Sequence, residues 1–263
     1  MEWSAASDVG RVRQRNEDAY DVIELPAPVG GRLFIVADGV GGNRAGDVAS
    51  NLAVRQLRTV FLDWVRSQSG AVSGDVVVAA LARSVQRVND AVVRCAARRP
   101  EWHGMGTTLT AVRVCGPAYQ YAHVGDSRLY RLHADQLAQI SRDHALVSEL
   151  MRSGQLDERQ ARDHPARHVL TQAVGMDRQL EIDAGQGVLA DGDRLLLCTD
   201  GLTAVLEDAD LLAILRDAPA GGLAERLVKL ANQRGAPDNV TVIIVSYRAT
   251  PGAAADRQEE AGR

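Results

Sequence analysis

Residues 107–140 read TTLTAVRVCGPAYQYAHVGDSRLYRLHADQLAQI. Four short β-rich runs succeed one another here, at 107–114, 119–124, 128–132 and 136–140, and every break between them carries Gly, Pro or Asp. The last two runs read as a hairpin that turns at 133–135. Outward on the N-terminal side stand a strand at 33–37 and two amphipathic helices. Between 47 and 66 apolar residues recur at Val48, Leu52, Leu57, Val60, Phe61 and Trp64; between 75 and 98 the stripe is Val77, Leu81, Val85, Val88, Val92 and Cys95. Both stripes are expected to face the core. Outward on the other side come a short helix at 145–152 stopped by Gly154, a polar stretch at 155–168 and a strand at 194–199. Helices at 209–216 and 223–233 and a last strand at 240–247 follow. Helices are grouped and do not alternate one for one with strands. That order disfavours a doubly wound parallel sheet and suits an α+β fold of stacked antiparallel sheets with helices outside.

The 263 residues are 46% hydrophobic and 24% charged, which is globular usage, with no sign of a disordered chain. Residues 1–248 read as a single domain, and the Ala-, Gly- and charge-rich stretch 249–263 as a tail without fixed structure. Only ten residues are aromatic, so Val, Leu, Ile and Ala must fill the core. A net charge of −4 gives no general basic field, which argues against nucleic acid as a partner. Three cysteines (Cys95, Cys115, Cys198) with no CxxC spacing argue against a disulfide framework and for a reducing cytoplasm. The first ten residues lack a basic region followed by an apolar run, and no apolar run approaches the ~20 residues of a membrane helix. We therefore expect a cytoplasmic protein with no membrane partner.

The chemistry is announced by a recurring pattern, an apolar strand with an aspartate at its end beside a small residue. It occurs as LFIVADG (Asp38, Gly39), YAHVGDS (Asp126) and LLLCTDG (Asp200), and at the start of a strand as PDNVTVIIV (Asp238); an acidic cluster, Asn16-Glu17-Asp18, precedes the first strand. One Asp-Gly alone is turn chemistry. A turn aspartate needs no buried run beside it, however, and here several nearly apolar strands carry one. If those ends converge, the carboxylates repel one another by several kcal/mol and require a counter-charge. Hard oxygens without His or Cys in ligand spacing select Mg²⁺ or Mn²⁺ over Zn²⁺. The carboxylates alone point to metal-assisted phosphoester hydrolysis, with a metal-dependent nuclease as an equal rival.

The motifs SDVGRVRQRNEDAY, FIVADGVGG, GMGTTLT, AHVGDSRLYRL, LCTDGL and APDNVTVIIV stand in the order and approximate spacing of the metal-dependent protein phosphatases, the type 2C serine/threonine phosphatases. The chain resembles the compact bacterial branch of that family over nearly its whole length. The resemblance implies a four-layer α-β-β-α sandwich: two stacked, mainly antiparallel sheets flanked by helix pairs, with metals in a cleft at one edge. It implies that Asp38 bridges two ions, with the Gly39 carbonyl on one of them. Asp200 and Asp238 would complete the first ion's shell. Asp18 would serve the second through water, supported by Glu17. Arg13 would hold the substrate phosphate, a task that suits a guanidinium fork. Asp126 would bind a third, weaker ion, and Asp163 stands where some relatives place another ligand for it. Residues 144–168 would form a flap over the cleft. A metal-bound hydroxide would attack phosphorus in line, without a covalent phosphoenzyme.

One departure from many eukaryotic members is Val40, which replaces a histidine discussed as general acid. The proton for the leaving group must then come from elsewhere: water on the third ion at Asp126, or failing that the flap histidines His144 and His164. The expected partners are phosphorylated proteins and a Ser/Thr kinase, and the expected state is a monomer. Two rivals follow: a catalytically silent binding module on the same fold, disfavoured because every metal aspartate is present, and a nuclease, disfavoured by the net charge.

Overall fold

The computed structural model describes residues 1–40, 45–176, 178–217 and 221–249. Two five-strand paths run through two stacked sheets. In one, β1 (Glu2–Asp8), β11 (Val240–Ser246), β10 (Arg194–Cys198), β7 (Arg128–His133) and β8 (Gln136–Gln139) lie side by side. The other runs β2 (Asp18–Glu24), β3 (Arg32–Val40), β5 (Leu109–Cys115), β6 (Ala118–Val124) and β9 (Asp183–Val188), and the short β4 (Gly106–Thr107) pairs with β3. All these pairs are antiparallel.

Three apolar layers hold the sandwich together. Helices α1 (Gly46–Arg66) and α2 (Gly74–Ala96) bury Leu57, Phe61, Leu81 and Val85 against Leu33, Ile35 and Ala111 of the second sheet. The strands alternate, so the neighbouring residues Phe34, Val36 and Val112 point the other way and meet Leu195, Leu197, Ile243 and Val245 between the sheets. Leu196, Val242 and Ile244 then cover α6 (Asp208–Asp217) and α7 (Leu223–Gln233). The result is the four-layer sandwich expected of the resemblance.

Some local expectations need correction. The run 107–114 is not one strand, because Thr108 turns its amide to the Asp38 carbonyl at 2.9 Å and separates β4 from β5. The strand at 194–199 stops at Cys198, and Thr199 caps a short helix, α5 (Asp200–Thr203). Three edge strands, β1, β2 and β9, were unannounced. β1 is written in Ser and Ala, and β9 (DAGQGV) has two glycines, poor strand formers. In β9 the register sets Gly187 and Gly185 opposite Tyr119 and Tyr121, and a Cβ at either position would stand within 3 Å of the facing ring. The glycines let those rings lie flat on the strand. The polar stretch 155–168 contains α4 (Glu158–Arg162), closed by a capping box between Asp157 and Gln160; α4 and α3 (Leu146–Arg152) share a small core of Ala145, Val147 and Ala161 apart from the three main layers. Of the expected tail, Ala249 donates its amide to Asp191 Oδ1, and the remainder lies outside the described residues.

Candidate active site

Antiparallel order brings the acidic loops together. The start of β2, the end of β3, the start of β5 and the end of β6 share one rim of their sheet; the end of β10 and the starts of β7 and β11 share the same rim of the other. Asp18 and Asp38 are directly opposed in register. Asp126 lies on the link that carries the chain from one sheet to the other. Asp200 follows β10, and Asp238 stands two residues before β11.

Each carboxylate is held by its own surroundings. The Asp38 amide donates to Thr108 Oγ1 at 2.8 Å, while its carbonyl accepts from Thr107 Oγ1 at 2.8 Å. Asp18 Oδ2 accepts from Thr241 Oγ1 at 2.6 Å and Thr199 Oγ1 at 2.9 Å. Asp238 Oδ2 accepts from the Arg13 guanidinium at 2.7 Å. The Glu17 carbonyl accepts from Gly39 N at 3.2 Å and from Ser50 Oγ at 2.6 Å, which ties the acidic cluster to the Gly39 turn and to α1. Asp163 is exposed at the end of α4.

Burial and mutual repulsion shape the charge. Burial foremost, then neighbouring carboxylates, pushes Asp18 up to about 7 even though two hydroxyls donate to it. Asp38 and Asp126 are raised well above the carboxylate range by burial and by the field of their neighbours. Asp200 is raised by burial and by Asp238. Two oxygens, Asp18 Oδ1 and Asp200 Oδ1, are buried without any hydrogen-bond partner. A buried acceptor left in that state costs ~1–3 kcal/mol, more if charged. Among the described residues no three His, Cys, Asp or Glu side chains are closed to metal-centre spacing, and Arg13 meets part of the charge. The donor set is hard oxygen throughout, and it fits Mg²⁺ or Mn²⁺.

A pH dependence follows. Asp18 keeps its proton to about pH 7 when folded and loses it near 4 when unfolded, so its contribution is complete below the unfolded value and lost as pH rises through the folded one. In EDTA, the melting-temperature advantage of Asp18→Asn over the parent is expected to grow between pH 5 and pH 7. Calorimetry at four pH values checks this; a difference that stays constant or shrinks refutes the charge assignment. His123, pushed down to about 4 by burial and by His144, works in the opposite direction in both proteins and cancels in the difference.

The family description Protein phosphatase 2C matches residues 10–235. The chain belongs to the protein phosphatase 2C family. It is 36% identical over 240 residues to the serine/threonine phosphatase stp of Listeria innocua, covering 91% of this chain and 93% of that protein. Among solved structures it superposes on the Streptococcus agalactiae serine/threonine phosphatase with a TM-score of 0.85 at 34% identity, covering 94% of this chain and 99% of the other. The catalytic domain of the serine/threonine protein phosphatase PstP, crystallised with two manganese ions, gives 0.78 at 33% identity, with 92% and 96% covered.

Within this 2C-family site several residues carry structure that sequence reasoning passed over. Asn239, which reads as a turn residue, is buried: its Oδ1 accepts from Glu17 N at 2.8 Å, and its Nδ2 donates to Val9 O at 2.9 Å and Arg15 O at 2.8 Å. It staples the Arg13–Asp18 segment to Asp238. Asn239→Ala is expected to cost about 2–4 kcal/mol and to lower the melting temperature by about 5–10 °C. An unchanged scan in differential calorimetry would refute the staple.

His123, His144 and His164 are taken up by the fold, as histidines most often are. His123 Nε2 donates to Gly125 O at 3.0 Å and its Nδ1 accepts from Thr110 Oγ1 at 2.8 Å, which leaves a neutral ring spent on the fold. His144 is buried and stacked on His123, and its Nδ1 accepts from Gly125 N; His164 Nδ1 accepts from Ala166 N. The histidine that approaches the acidic rim is the exposed His168, with Nδ1 3.9 Å from Asp200 Oδ2. Nothing in its sequence context sets it apart from its neighbours.

Proposed function

We propose that this 2C-family chain is a metal-dependent protein serine/threonine phosphatase that removes phosphate from phosphoserine and phosphothreonine on proteins. The carrying observation is the single rim on which two sheets deliver five aspartates, two of them with a buried oxygen that no hydrogen bond satisfies. On this reading Asp38 and the Gly39 carbonyl would help to hold two divalent ions, with Asp200 and Asp238 at the first, Asp18 and Glu17 at the second, and Asp126 offering a place for a third. Mg²⁺ or Mn²⁺ held there supplies Lewis-acid polarisation of the phosphoryl group and a nucleophile at neutral pH.

The chain's own residues supply the rest. Thr107 and Thr108 fix the backbone of Asp38. Arg13 is half exposed at the mouth of the site and binds the substrate phosphate through its guanidinium fork. The 144–168 segment, with its own small core, acts as a flap that chooses among substrates. The work takes place in the cytoplasm, on proteins phosphorylated by a Ser/Thr kinase, and the chain acts as a monomer of one domain, residues 1–248. Among the described residues no helix is long and apolar enough to cross a membrane.

The test is turnover of a phosphothreonine peptide, an aryl phosphate and DNA, each with Mn²⁺ and with EDTA. Metal-dependent release of phosphate from the first two and none from DNA supports the reading. No turnover of any substrate leaves a binding module, and cleavage of DNA alone leaves a nuclease. Arg13→Ala is expected to raise KM for the peptide about tenfold or more while lowering kcat less, since a charge-assisted bond to a bound phosphate is worth ~1.5–3 kcal/mol. An equal effect of Arg11→Ala in steady-state kinetics would refute the choice of Arg13.

A further inference from the structure

Two threonines stand where aliphatic residues would serve the fold as well. β11 reads VTVIIVS, and Thr241 is fully buried on the face whose next members, Ile243 and Val245, fill the space between the sheets. Thr199, at the end of β10, is fully buried too. Valine has nearly the same shape, so a hydroxyl at either position has to be accounted for by what it bonds. Both hydroxyls cross from one sheet to the other and donate to a single atom, Asp18 Oδ2, at 2.6 and 2.9 Å.

The hydrogens in this network have fixed directions. Thr241 spends its hydrogen on the carboxylate, so in its 2.8 Å bond with Ser7 Oγ it accepts and Ser7 donates. Ser7 Oγ accepts in turn from Asn16 Nδ2 at 2.8 Å, and Thr199 Oγ1 accepts from Thr241 N at 2.9 Å. Asn16 Oδ1 accepts from the Asp18 amide at 3.2 Å and closes the loop on the residue it serves. The other carboxylate oxygen, Oδ1, is buried and has no hydrogen-bond partner. The carboxylate is therefore pinned through one oxygen, and the second is left for something that is not a hydrogen-bond donor of this chain.

We propose that Thr199 and Thr241 are positioning residues that hold Asp18 through Oδ2 and present Oδ1 alone to a divalent cation. The inference rests on the phosphatase reading above, in which Asp18 serves the second ion. Groups that orient a metal's carboxylate ligands typically change metal affinity by ~10–100-fold when removed. The double change Thr199→Val and Thr241→Val is thus expected to weaken Mn²⁺ binding at the second site, the one that Asp18→Asn removes, by at least tenfold and to leave the first site within about twofold.

Isothermal titration with Mn²⁺ on the full chain reads this without turnover. Thr241→Ser keeps the hydroxyl and should restore wild-type affinity, a rescue that a packing role for the threonine methyl would not produce. If the double variant does not fold, the two single valine variants carry the same comparison. Wild-type affinity at both sites in folded valine variants overturns the proposal, as does a serine variant no better than valine. Asp18→Asn separates this from failure of the parent reading. Loss of the second ion in Asp18→Asn with unchanged valine variants sinks the positioning role alone. Wild-type binding by Asp18→Asn sinks the assignment of Asp18 itself, and the positioning proposal falls with it.

Discussion

Asp38→Asn is expected to abolish phosphatase activity, with kcat falling by more than about 10³-fold, or roughly 4 kcal/mol of barrier. The Asp38 backbone is fixed from both sides by Thr107 and Thr108, so the amide side chain will sit where the carboxylate sat. What disappears is the charge and the second anionic oxygen. An amide nitrogen cannot ligate a cation, and one amide oxygen cannot bridge two. The variant should fold, and in EDTA it should melt no lower than the parent, because burial and the field of Asp18, Asp200, Asp126 and Asp238, which disfavour a charged Asp38, do not act on a neutral amide. The measurement is kcat on a phosphothreonine peptide at saturating Mn²⁺, with a melting scan beside it. Retention of a tenth of the parent rate would sink the assignment of the site.

Gly201→Ala should be nearly as damaging for a steric reason. A Cβ at Gly201 would stand 2.0 Å from the Asn239 carbonyl oxygen, which is backbone and cannot rotate away. The conformation itself suits alanine, since Gly201 lies in the first turn of a short helix. The methyl must therefore push the Asp200 loop away from the Asp238 loop. Overpacking of this kind costs ~1–3 kcal/mol or somewhat more, which is about 5–10 °C in a chain of this size. Displacing a catalytic group by about 1 Å costs on the order of 100-fold in rate. Gly70→Ala, where no atom lies within 4 Å of the new Cβ, should be inert in both assays. If Gly201→Ala keeps parental activity and melting temperature, the two loops do not meet as described.

The aspartates were legible because their signal is local. A nearly apolar run that ends in Asp-Gly announces both a buried strand and a carboxylate at its rim, and antiparallel order does the rest. Arg13 was only partly legible. Three arginines alternate through 11–15, and nothing in their spacing says that Arg13 turns to Asp238 while Arg11 Nε donates to the Asn232 carbonyl. The supporting residues were not legible. A threonine in a strand reads as β propensity, and an asparagine after aspartate reads as a turn, so Thr199, Thr241 and Asn239 hid behind ordinary explanations. β1 and β9 were missed because their residues are poor strand formers, and β2 because Asp18, Asp21 and Glu24 interrupt its apolar run. The long-range pairing that makes them strands leaves no trace in their own composition.

The pairing of β1 with β11 sets when the enzyme comes into being during synthesis. Glu2 lies opposite Ser246 and Asp8 opposite Val240, so β1 waits for β11, far later in the chain. Asp18 waits as well, since one of its two hydroxyl donors is Thr241. A ribosome-bound chain that has not yet released β11 has Asp38 and Asp126 but no Asp238 loop, and its first sheet has no partner for β1. Closure of so distant a contact is slow. It also makes catalysis depend on β11: a chain in which that strand has not yet paired has no complete cleft with which to strip phosphate from the proteins around it.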